Sequence, residues 1–133
     1  MSDLTRDEIL ALADLPVEAV RVPEWGGRTV YVRAMTGSER DAWEAEQYAL
    51  GRDAKPNRDM HDFRARFLTR CLCDASGALL FTAADVPTLG KRNAAALDRL
   101  FAVAKRLSAV TAADEETLLG NSVGAPSGAS GSS

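Results

Sequence analysis

The feature that most constrains the fold is a run of alternating apolar and polar residues on each side of a glycine pair, Gly26-Gly27. Four valines carry the alternation: Val20, Val22, Val30 and Val32. Successive side chains of a β-strand point to opposite faces, so the two valines of each segment share one face. Residues 17–33 are therefore predicted to form a β-hairpin.

The number of loop residues decides whether both valine pairs lie on the same face of the hairpin. A shift of one residue turns every side chain of a strand to the opposite face, so the loop must contain an odd number of residues. We predict a three-residue loop, Trp25-Gly26-Gly27, in which a glycine takes the left-handed position of a bulge. This register places Val22 opposite Val30, and it places Arg21 opposite Tyr31 on the outer face.

Two threonine and glutamate pairs have the spacing of a capping box, which marks the N-terminus of a helix. They are Thr5 with Glu8 and Thr36 with Glu39. The first pair predicts a short helix over residues 6–13, with Leu4 and Ile9 placed to form a hydrophobic staple. The second pair predicts a helix over residues 36–50. Its inner side carries Trp43, Gln47 and Leu50.

Two stripes of apolar residues at helical spacing follow a polar loop over residues 51–58. The first comprises Met60, Phe63, Phe67, Leu68 and Cys71. The second comprises Leu97, Leu100, Phe101, Ala104 and Leu107. They predict two core-forming helices, one beginning at residue 59 and the other over residues 91–109. Threonines that suit a helix N-cap predict shorter helices over residues 82–90 and 111–119.

The segment between these stripes leaves one assignment open. Residues 79–82 have the composition of a short apolar strand and follow a turn at residues 74–77. The stretch from Cys71 to Cys73 is either the frayed end of the preceding helix or a partner strand. The two cysteines stand too close in sequence to favour a disulfide with each other. Both are predicted to be small buried hydrophobic residues in a reducing cytosol.

A chain of 133 residues has the usual length of one domain, and it can bury roughly two-thirds of its unfolded surface. Hydrophobic residues make up 46% and charged residues 26%, with a net charge of -3, as in soluble globular proteins. We predict one α+β domain over residues 1–119, in which an N-terminal β-hairpin, with or without a further short strand, packs against four or five helices. The Gly/Ser-rich residues 120–133 are predicted to be a disordered tail.

Several functional classes lack support in the sequence. Basic and acidic residues are interleaved, so there is no basic stripe for nucleic acid. No apolar run approaches the length of a membrane span, and residues 1–10 lack the pattern of a secretion signal. The single histidine, His61, and the pair Cys71/Cys73 form no catalytic or metal-ligating constellation. We therefore predict no enzymatic activity, no cofactor and no metal site.

Five residues are predicted to contact a partner protein: Trp25, Tyr31, Trp43, Arg21 and Arg33. Trp25 stands at the hairpin tip beside glycines, where its ring either folds back on the core or is displayed as an interface anchor. Tyr31, Arg21 and Arg33 belong to the outer strand face. That face is either solvated or an edge that accepts another strand.

Four segments occur in an order that is typical of one family. They read PEWGG, RTVYVRAMTGSERDAWE, FLTRCLCDASGALLFTAADVPTLG and NAAALDRLFAVAKRLS. With this order the chain resembles, over residues 4–119, the tail assembly chaperones of long-tailed phages (siphophages) in the HK97-like and lambda-like group.

The resemblance implies a non-catalytic assembly factor that binds and coats the tape measure protein before tail tube subunits polymerise around it. It implies action in the host cytoplasm and absence from the finished virion. Many such chaperones have a longer form, made by a ribosomal frameshift, whose extension is thought to recruit the tail tube protein. This chain resembles the short form.

Two further expectations accompany this assignment. Copies that coat one long partner touch each other, so weak homo-oligomers are expected. The sequence shows no apolar stripe that can be assigned to an interface between copies and not to the core. The alternative function is that of a structural component of the virion, such as a neck or tail completion protein.

Overall fold

Residues 17–33 form the predicted hairpin, and a short third strand extends it into an antiparallel sheet in the order β1, β2, β3. A computed structural model describes residues 3–50, 62–111 and 114 of the protein, without the side chains of residues 47–50. The strands are β1 (Val17–Val22), β2 (Arg28–Arg33) and β3 (Leu72–Cys73). The helices of the described part are α1 (Arg6–Leu10), α2 (Gly37–Leu50), α3 (Phe63–Leu68), α4 (Val86–Leu89) and α5 (Ala94–Leu107). The fold is α+β, as predicted.

The hairpin loop has five residues, so the predicted three-residue loop is wrong. Val22 lies opposite Arg28, and Val20 lies opposite Val30, which is two residues away from the expected register. The loop nevertheless has an odd number of residues, so the four valines do share one face. That face is directed at the core, where Val22 and Val32 are completely buried.

Proline and glycine chemistry explains the longer loop. Pro23 has no N–H to donate to a strand ladder, and it begins a 3-10 turn over Pro23–Trp25. Gly26 and Gly27 follow with φ of 75° and 72°, a left-handed conformation that glycine adopts without strain. The N–H of Gly27 donates to the carbonyl of Val22 at 2.9 Å and closes the loop.

The third strand decides the assignment that the sequence left open. Leu72 and Cys73 pair with β2, so this stretch is a strand and not the frayed end of a helix. The strand predicted over residues 79–82 is wrong, because Leu79 forms only an isolated bridge to Cys73. Asp74 turns the chain between them by accepting hydrogen bonds from two later backbone N–H groups.

Local capping determines where the helices begin and end. Both predicted capping boxes are present, at the starts of α1 and α2. Helix α1 ends at Leu10 and not at residue 13, since it buries no side chain that would support a longer helix. Helix α5 begins at Ala94 and not at residue 91, because the side chain of Asn93 accepts the N–H of Ala96 at 3.0 Å.

Some predicted features lie outside the described residues. They are the loop over residues 51–58, the helix start at residue 59, His61 and the tail over residues 120–133. Only the start of the last predicted helix is described. There Thr111 and Asp114 exchange backbone to side-chain hydrogen bonds of 3.0 and 3.1 Å, which is a capping arrangement.

Four aromatic rings occupy the centre of the core. Trp43 of α2 contacts Phe63 and Phe67 of α3, with ring centroids 5.4 and 4.9 Å apart. Phe101 of α5 contacts the same two phenylalanines at 5.4 and 5.1 Å. These tilted and edge-to-face pairs are favourable arrangements of aromatic rings. The described residues of both predicted stripes belong to this core, where α3 contacts α5; Met60 of the first stripe lies outside the described residues.

The two buried thiols give a direct test of this core. Burial raises the pKa of Cys71 from 9.0 to about 12, and it also raises the pKa of Cys73. Alkylation requires the thiolate, so we expect iodoacetamide to leave both cysteines of the folded chain unmodified near neutral pH and to modify both in concentrated urea. Mass spectrometry counts the adducts. Rapid modification without denaturant would contradict the burial of these thiols.

Candidate partner-binding surface

A groove lies beside the hairpin tip and is called the tip groove below. Its lining residues are Trp25, Phe81, Asp85, Thr88, Leu89 and Arg92. The groove is open to solvent and has a volume of about 490 Å³. Trp25 and Phe81 are half-buried and pack against the core, so their rings form a supported apolar wall. One part of the Trp25 side chain is therefore packed on the core, and the rest is accessible to solvent.

Charged side chains frame the tip groove. The carboxylate of Asp85 accepts the N–H of Thr82 at 2.8 Å, so it is engaged in the turn that begins α4. Arg92 lines the groove and Lys91 precedes it; both are exposed, and neither forms an ion pair with any residue of the described part. The groove thus combines apolar walls with charged groups of both signs, the carboxylate of Asp85 and the guanidinium of Arg92.

An ion pair ties the hairpin tip to α5. Both donors belong to the guanidinium group of Arg99, whose Nε and Nη2 donate to the carboxylate of Glu24 at 3.2 and 2.9 Å. These hydrogen bonds lower the pKa of Glu24. Arg99 is 42% exposed, so the pair contributes little to stability. Its two parallel hydrogen bonds do orient the tip relative to the helix.

A second candidate surface is the hairpin face that points away from the valines, called the outer face below. It carries Ala19, Arg21, Thr29 and Tyr31. Arg21 lies opposite Thr29, and the predicted pairing of Arg21 with Tyr31 is wrong because of the longer loop. Arg21 is exposed and Tyr31 is half-buried. The Arg21 guanidinium lies over Gly27, where an added Cβ would come within 2.9 Å of Nη2.

Trp43 does not belong to any partner surface, which corrects one of the predicted contact residues. Its side chain is 0% exposed and lies among the core phenylalanines. The sequence placed it on the inner side of its helix, and the structure shows that this side is fully covered. Trp43 therefore stabilises the fold and presents no surface to a partner.

Arg33 is also placed differently from the prediction. It is 9% exposed and forms an ion pair with Glu39 near the start of α2. Its guanidinium also donates to the carbonyls of Ala34 and Arg70, at 3.1 and 3.2 Å. All of its contacts are within the domain, so Arg33 joins β2, α2 and the end of α3, and it is not free to bind a partner.

The segment over residues 3–13, called the N-terminal arm below, exposes apolar residues that the sequence led us to expect in local contacts. Leu4 and Ile9 are 58% and 53% exposed, so the predicted hydrophobic staple buries neither of them. Leu10 and Leu12 are 68% and 48% exposed. Helix α1 buries no residue at all. The arm is therefore an apolar surface without an intramolecular cover among the described residues.

The walls of the tip groove were not predicted, with the exception of Trp25. The sequence analysis did not single out the other five lining residues, which are Phe81, Asp85, Thr88, Leu89 and Arg92. One signal was present in the sequence, since apolar residues stand on both sides of the predicted start of the helix over residues 82–90. Their approach to the hairpin tip is a tertiary contact that local periodicity does not reveal.

In residues 3–50 and 62–111, no group of three or more histidine, cysteine, aspartate or glutamate side chains is placed to hold a metal ion. None of the helices in those ranges has the length and hydrophobicity needed to cross a bilayer. The described surface is therefore characterised by the tip groove, the outer face and the N-terminal arm.

Comparisons with known proteins identify the family. No curated protein matches the chain. The fold is similar to the structure of the bacteriophage HK97 tail assembly chaperone, with a TM-score of 0.55 and 19% sequence identity over 76% of this chain and 90% of that one. The sequence model of the phage tail assembly chaperones matches residues 11–117. Because this match spans most of the chain, the protein belongs to the phage tail assembly chaperone family.

Proposed function

We propose that this protein binds the phage tape measure protein, keeps it soluble and thereby supports polymerisation of the tail tube. The observation that carries the proposal is the match of residues 11–117 to the tail assembly chaperone family. The role is non-catalytic. A tape measure is a very long and largely helical protein, and its exposed apolar stripes would aggregate without a cover.

The hairpin is the proposed contact surface, with Trp25 at its tip and Arg21 and Tyr31 on its outer face. Aromatic and arginine side chains are frequent anchors of protein interfaces because they combine apolar area with hydrogen-bonding groups. Trp25 and Tyr31 are only half-buried, and Arg21 is exposed. Several copies of such a small surface can follow a long partner without reading a particular sequence.

The wider setting is part of the same proposal. The chaperone acts in the host cytoplasm and leaves before the virion is complete. Contact with the tail tube protein belongs to a longer product that carries a C-terminal extension. The alternative is a structural neck or tail completion protein, and mass spectrometry of purified particles distinguishes the two, since a structural component is retained in stoichiometric amounts.

The test is co-expression with the long tape measure protein, followed by centrifugation and pull-down. We expect the tape measure to be soluble and retained when the wild-type chain is present. Trp25→Ala and the double variant Arg21→Ala/Tyr31→Ala should each weaken tape measure binding by about tenfold or more and so lower the soluble fraction, because interface anchors typically contribute more than 1.4 kcal/mol.

The control variant for this experiment is Arg28→Ala. Arg28 is an exposed hairpin arginine like Arg21, but it lies opposite Val22 and so belongs to the other face. This variant should solubilise the tape measure as the wild type does. Equal solubilisation by all the variants would remove the hairpin from the proposed contact. A tape measure that stays insoluble with the wild-type chain would contradict the function itself.

A further inference from the structure

Strand β1 is an edge of the sheet, and one side of its backbone has no partner strand among the described residues. The sheet order is β1, β2, β3, so β1 pairs only with β2. The carbonyl of Pro16 accepts the N–H of Ala34 at 3.1 Å, and hydrogen-bonded pairs alternate along an antiparallel ladder. The even-numbered residues of β1 therefore bond to β2, and the N–H and C=O groups of the odd-numbered ones point away from the sheet. The odd-numbered residues are Val17, Ala19 and Arg21.

This edge is open along its whole length. Proteins often protect a sheet edge with proline, a bulge or a covering segment. The six residues of β1, about 20 Å long, pair without a bulge, contain no proline, and are covered by no other strand of the described part. The opposite edge of the sheet differs, because the N–H of Leu80 donates to the carbonyl of Leu72 at 3.0 Å and covers β3. Strand β1 is therefore a template for one more strand.

The exposed side of α5 follows this edge on the valine face. Nη2 of Arg106 donates to the carboxylate of Glu18 at 2.8 Å, and Arg99 is paired with Glu24, so the helix runs along β1 from tip to base. Ala102 lies between the two arginines on the same side of the helix and is exposed. Its small side chain leaves room for an aliphatic side chain of an added strand.

Charge selects the kind of strand that the edge accepts. The charges of Glu18 and Glu24 are balanced by their arginine partners on α5. Arg21 lies on the outer face, is exposed, and forms no ion pair with any residue in the described part of the chain. A carboxylate directly opposite Arg21 would form a favourable cross-strand pair, and a cation in that place would be repelled. The edge therefore favours an acidic strand.

We propose that β1 binds an extended acidic segment of a partner protein as a fourth strand of the sheet. The segment runs antiparallel to β1 and exchanges backbone hydrogen bonds with the three odd-numbered residues. It places a carboxylate opposite Arg21 and an aliphatic side chain, opposite Val20, over Ala102. The backbone bonds supply affinity, and the two side-chain contacts supply specificity. The proposal goes beyond the proposed function, because it concerns an extended segment and does not require the helical tape measure protein.

The test is an NMR titration of the isotope-labelled full-length chain with a synthetic peptide. The probe is the acetylated and amidated peptide Thr-Glu-Val-Thr-Thr-Val, whose glutamate lies opposite Arg21 in the antiparallel arrangement. We expect saturable shifts of the amide signals of Val17, Ala19 and Arg21 at millimolar peptide, because these N–H groups gain acceptors. The amide signals of the tip groove should not shift.

N-methylation of the peptide separates backbone pairing from side-chain contact. Methyl groups on the nitrogens of the glutamate and of the threonine opposite Ala19 remove two N–H groups that face β1. This peptide should bind at least about tenfold more weakly than the unmodified one. The matched control carries its methyl groups on the residues opposite Val20 and Glu18, whose N–H groups face away from β1. It should bind like the unmodified peptide.

Variants of the chain test the same contacts from the other side. Ala19→Pro removes an outward N–H but none of the bonds to β2, so circular dichroism should show a retained fold and the titration about fivefold weaker binding. Ala19→Thr keeps the N–H and suits a strand, so it should bind as the wild type does. Arg21→Glu should weaken binding by about fivefold, and a peptide with arginine in place of its glutamate should restore it.

Four outcomes would overturn the proposal. They are the absence of saturable shifts at β1, shifts confined to the tip groove, equal binding by the peptide that lacks the two facing N–H groups, and β1 signals that change with the concentration of the chain alone. The second would assign the peptide to the groove, and the last would assign the edge to a second copy. Because the tape measure protein takes no part in these measurements, each of these outcomes leaves the proposed function untouched.

Discussion

Replacing Trp43 with alanine should lower the free energy of unfolding by about 3–5 kcal/mol, the largest effect expected of any single change in the described core. The indole is completely buried, and it contacts Phe63 and Phe67 at centroid distances of 5.4 and 4.9 Å. Its removal leaves a cavity between α2 and α3 that the surrounding rings fill only in part. Since domains of this size are stable by about 5–15 kcal/mol, this loss is a large fraction of the total stability.

Urea unfolding monitored by circular dichroism measures this loss. Trp43→Phe is the matched variant, because it keeps an aromatic ring and should retain more than half of the lost stability. A decrease of less than about 0.5 kcal/mol for the alanine variant would contradict the central position of this side chain, as that is the effect of an ordinary surface change.

The second large effect is expected from the ion pair of Arg33 and Glu39. Their side chains are 11% and 24% exposed. Arg33→Met removes the cation and leaves a mostly buried carboxylate without its charge partner, which costs about 3–5 kcal/mol when burial is complete. Since a quarter of Glu39 remains accessible to water, we expect a loss of about 2–3 kcal/mol.

A double-mutant cycle identifies the source of that loss. Glu39→Gln removes the charge but keeps an oxygen that can accept the N–H of Thr36, a bond of 2.8 Å in the wild type. The double variant Arg33→Met/Glu39→Gln should therefore be more stable than Arg33→Met alone, because no buried charge is left without a partner. Additive losses in urea unfolding would show that the two side chains do not interact.

The hairpin shows which kinds of information the sequence contains. The alternation of apolar and polar residues specifies the face of every strand residue, and it correctly required a loop with an odd number of residues. It does not distinguish a loop of three residues from one of five, because both preserve the faces. The longer loop results from the missing N–H of Pro23 and from two left-handed glycines, a combination of local effects that periodicity does not measure.

The candidate site was predicted less completely than the fold. Trp25 could be singled out because a large ring at a glycine-rich tip is unusual, and the structure places it at the groove. Arg33 was misplaced because its partner, Glu39, belongs to the next helix and the two are brought together by the chain bend after β2. Exposure of Leu10 depends on the absence of a tertiary contact, and helical spacing alone does not determine it.

Suppression of tape measure aggregation is the most direct test of the proposed function. Denatured tape measure protein is diluted into buffer that contains increasing amounts of this chain, and light scattering is recorded. We predict that scattering falls to the baseline at a ratio of several copies per tape measure, as expected for a small protein that covers a long one. Scattering that remains unchanged at a large excess of the chain, or that an unrelated acidic protein suppresses equally well, would contradict the proposed function.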